Sequence, residues 1–310
     1  MKNKKKILVI GGAGFAGSRF IEETKHIYDI QSVDLEWFGC YIENNIKDDY
    51  RNLTAEFIQG FDAVLLLAGM SSVGLSIKDN RATFKNNVDN FVDLISKLSP
   101  KQKFIYISSS SVYSNDNGAE VNENYAGYSP RNSYDLSKVM IDNYAELECR
   151  ARNIEFYGLR LGTLAGASIQ CRSDIMINSM FHSYKTNGYI QVSNLTINRP
   201  ILYILDLVDC VKRLIDHHTP NNRAGIYNVA SCNKTVEEIA FEVSDYLNCE
   251  VKLKKHTGPK PYNFRMSSQR LMDNFMWTPH EKLSIILDDL NDNWHKIKNF
   301  ARRNEKIEYV

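Results

Sequence analysis

The segment Ile7-Leu8-Val9-Ile10-Gly11-Gly12-Ala13-Gly14-Phe15-Ala16-Gly17 constrains the fold more than any other part of this 310-residue chain. Four consecutive aliphatic residues read as a buried strand, and Ser18–Thr24 reads as a helix. The glycines between them have separate tasks. One allows the tight turn, one lets backbone approach a pyrophosphate, and one lets the helix pack close to the strand so that its N–H groups face the anion. The pattern predicts a dinucleotide site built from Gly11, Gly14, Phe15, Ala16 and Gly17. Asp34 follows Gly14 by 20 residues, at the end of a second strand pattern, Asp29–Val33. A carboxylate there accepts hydrogen bonds from ribose hydroxyls and repels a 2′-phosphate, which favours NAD over NADP.

Further apolar runs alternate with helical stretches. Asp62–Ala68, Lys103–Ser108 and Ile154–Leu161 read as strands, while Thr83–Leu98 and Ser133–Arg152 read as helices. This rhythm predicts an α/β fold, a Rossmann-like doubly wound parallel sheet covered on both faces. After residue 162 the rhythm breaks into short strands (Tyr189–Val192, Ile201–Ile204, Ile226–Val229) and helices (Leu207–His217, Thr235–Tyr246, Leu283–Ala301). We read 1–162 as the dinucleotide-binding domain and 163–310 as a smaller C-terminal substrate-binding lobe, some of whose segments return to the first domain.

Composition excludes several classes. A formal net charge of +1 offers no electrostatic case for nucleic acid or a membrane surface. The basic run Lys2, Lys4, Lys5, Lys6 precedes too short an apolar stretch for a signal peptide, and no run is long enough to span a bilayer. Six cysteines lie scattered without a CxxC pair, which points to reduced thiols in a cytoplasmic setting and to no metal site.

Tyr134 and Lys138 stand four residues apart, on one face of a helix. An ammonium near a phenol stabilises phenolate and lowers the pKa of a general base. Alone, such a pair is a common solvated helix contact. It is accompanied by Phe104-Ile105-Tyr106-Ile107-Ser108-Ser109-Ser110-Ser111-Val112-Tyr113 and by the GxxGxxG spacing of the phosphate loop. Together these motifs resemble the extended short-chain dehydrogenase/reductases, and among them the NAD-dependent nucleotide-sugar epimerase/dehydratase family. The resemblance runs along nearly the whole chain.

The resemblance implies specific roles. Ser109, 25 residues before Tyr134, would hydrogen-bond the reacting oxygen while Tyr134 takes the hydroxyl proton and Lys138 keeps Tyr134 ionisable. Leu67, Ala68, Gly69 and Ser108 would line the cofactor, with Asp49 and Tyr50 at its adenine in an uncertain register. Ser71, Ser72, Ser110 and Thr163 would face the sugar, and Asn87 would brace the sheet. Arg199, in Arg199-Pro200-Ile201-Leu202-Tyr203-Ile204-Leu205-Asp206, would pair with the diphosphate of a nucleotide sugar, a good match for a planar guanidinium. Arg172 and Asn178 would touch nucleotide or sugar. His256–Trp277 would form a closing loop, with Lys260 and Arg265 as its basic candidates.

One departure narrows the chemistry. Sugar-nucleotide dehydratases carry Asp-Glu after the serine, as acid and base for losing water. This chain has Ser110-Ser111, and it lacks the nearby Cys of 3,5-epimerases. What remains is chemistry that needs only Tyr, Lys and Ser: oxidation at one carbon, with or without return of the hydride. The resemblance implies that this carbon is C4 of a nucleotide-activated sugar, in a 4-epimerase or 4-dehydrogenase, with a GDP-heptose or another polysaccharide precursor as substrate. The alternatives are a keto-sugar reductase on the same site and a non-catalytic NAD-binding regulator. The resemblance further implies a homodimer, joined through the helices at Thr83–Leu98 and Ser133–Arg152.

Overall fold

Alternation along the first strand decides how the layers assemble: Ile7 and Val9 enter one hydrophobic cluster, Leu8 and Ile10 the other. A strand apolar on both sides must be covered on both sides. In the computed structural model, which describes residues 4–71, 73–114, 117–217, 223–256 and 261–301, that strand is β1 (Lys6–Ile10). It sits in a sheet with β2 (Asp29–Asp34), β3 (Asn45–Lys47), β4 (Ala63–Leu66), β5 (Lys103–Ser109), β6 (Glu155–Leu161) and β7 (Gly225–Val229). The order is β7-β6-β5-β4-β1-β2-β3, and every pairing is parallel. The strand order reverses between β1 and β4, and ligands of such sheets bind in the crevice outside that switch point.

The helices over the sheet include α1 (Phe15–Thr24), α2 (Asn90–Lys97), α3 (Ser133–Ala151) and α4 (Ile204–Asp216). Leu207, Val211 and Leu214 of α4 join Phe20 of α1 over Ile7 and Val9. On the other face Phe91, Leu94 and Ile95 of α2, with Ile141 and Ala145 of α3, cover Leu8, Val64 and Phe104. The helical stretch expected at Thr83–Leu98 forms, with a π-helical turn at Lys85–Asp89 leading into α2. Such turns often mark functional sites, and this one carries Asn87. Its amide holds both backbone groups of Met70 (2.8 and 3.1 Å) and reaches Ser137 Oγ at 3.1 Å. The expected brace is therefore in place.

Beyond the main sheet the C-terminal half adds small sheets. Thr163–Ala165, Asn198–Tyr203 and Cys232–Thr235 form one, and Tyr189–Val192 pairs with Glu250–Leu253 in another. Helices Met176–Asn187, Val236–Leu247 and Leu283–Asn293 pack around them.

Two expectations need correction. Ile226–Val229 is not a lobe strand, because β7 extends the main sheet beside β6. The last helix does not run to Ala301. It ends at Asn293, a turn follows at Trp294–Lys296, and Asn299–Ala301 pairs with Gln170–Arg172. The turn brings Phe300 within 4.8 Å of the Trp294 ring, while Trp294 packs on Phe181. These half-buried rings pack together against the Phe181 side of the cluster, a contact that the turn allows.

Candidate active site

The phosphate loop is closed by backbone contact. Gly11 leaves β1 with φ +92°, and a Cβ there would lie 2.4 Å from Ala68 N, at the end of β4. A Cβ on Gly17 would lie 2.3 Å from Gly11 O. No side chain fits either position, so turn, strand end and helix share one close approach. Gly14 caps α1 without a side chain, which leaves the first-turn N–H groups facing outward. Asp34 ends β2, and its carboxylate accepts from Ala13 N (3.1 Å) and Glu36 N (2.7 Å).

Gly11, Gly14, Asp34, Asp49, Tyr50, Leu67, Ala68 and Gly69 line one cavity at the switch point, of about 730 Å³ including its open mouth. The fit to an adenine dinucleotide is good. Glycines stand where a diphosphate needs bare backbone, a carboxylate stands where ribose hydroxyls need an acceptor, and aromatic and amide groups form the far end. Asp49 is paired with Arg51 (2.5 Å), and Tyr50 is buried behind it with its hydroxyl on Asn86 O. Trp37 and Phe38 also line the cavity and were missed in the sequence. Their signal was an aromatic pair just after the Asp34 carboxylate.

Phe15, Ala16 and Gly17 face a second cleft, of about 1470 Å³ including its mouth. Ser108, Ser109, Ser110 and Tyr134 meet there with Ser71, Thr163, Arg172 and Arg199. Ser109 ends β5, and its Oγ accepts from Ser111 N (3.2 Å), starting a short helical turn at Ser110–Tyr113. Tyr134 lies in the first turn of α3, which Asn132 caps by accepting from Asp135 N (2.9 Å). Lys138 follows one turn later. Its Nζ donates to Ile107 O (2.7 Å) and lies 5.8 Å from the Tyr134 ring centroid. Burial pushes the Lys138 ammonium down to about 8, and the Asp142 carboxyl one turn further along α3 opposes that fall.

The two cleft arginines differ. Arg172 is held by both oxygens of Asp174 (2.9 and 2.7 Å), and also reaches Ser71 O (3.4 Å). Its charge is answered within the protein. Arg199 donates to Thr163 Oγ1 (3.2 Å) and Tyr262 O (3.5 Å), and its buried Nε has no partner. Among the described residues no carboxylate forms an ion pair with it, and burial lowers its pKa. A desolvated cation without a counter-charge, at the wall of a cleft, is suited to an anionic ligand.

Asn178 is a correction. Its amide is spent on both backbone groups of Gly166 (3.0 Å each) and on Cys171 Sγ (3.3 Å). It is buried outside the cleft, as a staple of the lobe. Ser72 and Lys260 lie outside the described residues, and Arg265 sits in a short strand paired with Glu120–Val121, outside the cleft lining. Tyr262, Phe264, Asp174 and Ile175 also line the cleft. Tyr262 and Phe264 belong to His256–Trp277, the stretch expected to close over the ligand, although neither was singled out; Asp174 and Ile175 come from a segment whose sequence shows no periodicity that would place them there.

Known proteins share this fold at low identity. A profile described as the NAD dependent epimerase/dehydratase family matches residues 7–230. The chain is 22% identical over 325 residues to a UDP-glucose 4-epimerase of Lactobacillus helveticus, covering 94% of this chain and 97% of that protein. It is 23% identical over 332 residues to a UDP-glucose 4-epimerase of Rhizobium meliloti (strain 1021), covering 94% and 98%. A crystal structure of the Thermus thermophilus UDP-glucose 4-epimerase in complex with NAD superposes with a TM-score of 0.77 at 19% identity, covering 92% of this chain and 99% of that one. A UDP-glucuronic acid 4-epimerase from Bacillus cereus, in complex with UDP-glucuronic acid and NAD, gives 0.79 at 20% identity, covering 93% and 98%.

Proposed function

Because the chain belongs to the NAD-dependent epimerase/dehydratase family, we propose that it oxidises C4 of a nucleoside-diphosphate sugar, acting as a 4-epimerase or a 4-dehydrogenase. It is an NAD-dependent enzyme of the nucleotide-sugar epimerase type, and NAD is its cofactor. The observation that carries the reading is the shared cleft, lined by Tyr134, Ser109 and the unanswered Arg199 cation together.

NAD supplies the hydride acceptor. Gly11, Gly14, Gly17 and Asp34 would hold its diphosphate and ribose, and Asp49 and Tyr50 the adenine side. The protein's own work is then proton handling and positioning. Tyr134 takes the proton of the sugar hydroxyl. Ser109 donates a hydrogen bond to the oxygen as it becomes a carbonyl. Lys138, buried beside Tyr134, favours its ionised form and would hold the nicotinamide ribose. Arg199 would bind the diphosphate, with Ser71, Ser110 and Thr163 toward the sugar and Arg172 shaping the wall between them. Ser110 and Ser111 stand where elimination of water would need carboxyl groups, which favours plain redox chemistry.

The test is incubation of the NAD-loaded protein with UDP-, TDP- and GDP-sugars, a GDP-heptose included, following NADH absorbance and product NMR. A stereoinverted sugar without NADH build-up is the epimerase result, and lasting NADH the dehydrogenase result. NADH consumption with a 4-keto sugar would identify the reductase direction. No turnover with any of them would favour a non-catalytic NAD-binding role.

Two further parts of the proposal concern state and place. Leu136, Met140 and Leu147 form an exposed apolar stripe along α3, with Leu147 72% exposed, and Ile77 is exposed nearby in sequence to the π-turn helix. A second copy of this chain, packed helix to helix across a two-fold axis, would cover them. Light scattering should give a dimer mass, and the Met140→Glu/Leu147→Glu variant a monomer. A wild-type monomer at tens of micromolar would refute the dimer. All six cysteines are free, which suits a reducing cytoplasm. Among the described residues no helix is long and apolar enough to cross a membrane.

A further inference from the structure

Asp135 follows Tyr134 directly and is 0% exposed. A buried carboxylate is costly unless it is well supplied with donors. Three reach its Oδ2: Tyr262 Oη (2.6 Å), Asn132 Nδ2 (2.9 Å) and Arg131 N (3.2 Å). Asn132 and Arg131 belong to the start of α3 itself. Tyr262 also lines the cleft but comes from a segment 127 residues further along the chain, and its bond to Asp135 is the shortest of the three. The Arg131 guanidinium lies 5.0 Å over the Tyr262 ring, and Asn132 Nδ2 also donates to Tyr262 Oη (3.0 Å). The phenol is thus gripped by three residues that flank the catalytic tyrosine in sequence.

The other end of the same residue meets the anion site. Tyr262 O accepts from Arg199 Nη1 (3.5 Å). Its neighbours are pinned as well: Asn263 O accepts from Gly118 N (2.8 Å), Asn263 Oδ1 accepts from Asn198 N (2.8 Å), and Phe264 is buried against Tyr113. Tyr262 is therefore one rigid link with Arg199 at its backbone and Asp135 at its hydroxyl.

We propose that Asp135 and Tyr262 form a latch that couples occupancy of the Arg199 anion site by a nucleoside diphosphate to the position of Tyr134. Asp135 is a positioning residue, acting through the first turn of α3. It is not needed as a helix cap, because Asn132 already fills that role. The capping interaction explains the helix start, and the bond from Tyr262 explains why a carboxylate is buried beside the catalytic phenol. The latch rests on the catalytic reading of Tyr134 given above.

Amide hydrogen exchange on the full NAD-loaded chain tests it, with UDP, GDP and TDP as probes. In wild type, a nucleoside diphosphate should slow exchange across residues 131–136, although none of these is expected to touch it. In Tyr262→Phe, which keeps the ring and loses one hydrogen bond to a charged group, basal exchange there should rise about ten-fold and the nucleotide effect should vanish. Asp135→Asn, which can still accept from Tyr262, should retain part of the effect. With a sugar nucleotide that turns over, Tyr262→Phe should lower kcat several-fold more than it raises KM. Exchange at 131–136 that ignores all three nucleotides in wild type, or that is unaltered in Tyr262→Phe, would overturn the latch. Failure of the underlying reading looks different: a Tyr134→Phe enzyme with normal turnover would remove the catalytic assignment, whatever the exchange data show.

Discussion

Replacing Tyr134 by phenylalanine is expected to lower turnover by roughly 10²–10⁴-fold, the usual contribution of a positioned general base, while NAD affinity and folding stay close to wild type. The change removes one oxygen. The ring remains, so its packing and its place 5.8 Å from Lys138 Nζ are kept. The phosphate loop is untouched, because its shape comes from Gly11, Gly17 and the end of β4. The buried lysine keeps its own anchor on Ile107 O. Fluorescence titration with NAD, thermal melting and the sugar-nucleotide assay separate the three quantities. Turnover within a few-fold of wild type would move the proton chemistry to another group. NAD binding lost together with turnover would make Tyr134 structural.

The phosphate loop was legible because strand, glycines and helix are contiguous, and local backbone geometry is what sequence patterns encode best. The same holds for β5 and α3, whose apolar periodicities matched the layers they enter. Partnership between distant segments was not legible. The apolar run at Ile226–Val229 identifies a strand, and nothing in it says that it pairs with β6 and not with the lobe. The strand at Asn299–Ala301 was read as helix because its partner, Gln170–Arg172, lies far away in sequence.

Site residues divide along the same line. Arg199, Arg172 and Asn178 were all expected at the ligand from the resemblance alone. Only the fold reveals that Asn178 has spent its amide on Gly166, that Arg172 is neutralised by Asp174, and that Arg199 Nε is left bare. Tyr262 shows the converse. The stretch His256–Trp277 was expected to close over the ligand, but nothing in it marks Tyr262 until Asp135 and Arg199 appear at its two ends.

The second large effect is expected beneath the catalytic helix. Tyr134, Lys138 and Asp142 follow one another at i, i+4 and i+8 on α3, so they share a face. Asp142 is 2% exposed and Arg160, on β6, 4%. Their ion pair measures 2.8 Å from Nε to Oδ2. Arg160 donates further to Tyr113 Oη (3.0 Å) and Tyr128 Oη (2.9 Å), and Tyr106 Oη donates to Asp142 Oδ1 (3.2 Å). Burial pushes the Asp142 carboxyl up, and Arg160 opposes it. Asp142→Asn leaves the guanidinium buried without its counter-charge, which should cost ~3–5 kcal/mol in chemical denaturation. Arg160→Met with Asp142→Leu should cost less than the sum of the two single changes, because each single change includes the penalty of an orphaned charge. The effect reaches the chemistry through Lys138. Asp142 is the charge that raises the Lys138 pKa against burial. Without it the lysine falls below its present value of about 8, so the ammonium beside Tyr134 is lost at a lower pH. The alkaline limb of the pH–rate profile of Asp142→Asn, measured in the cold with saturating NAD, should therefore move to lower pH. A limb that stays in place while stability drops would confine Asp142 to holding α3 on the sheet.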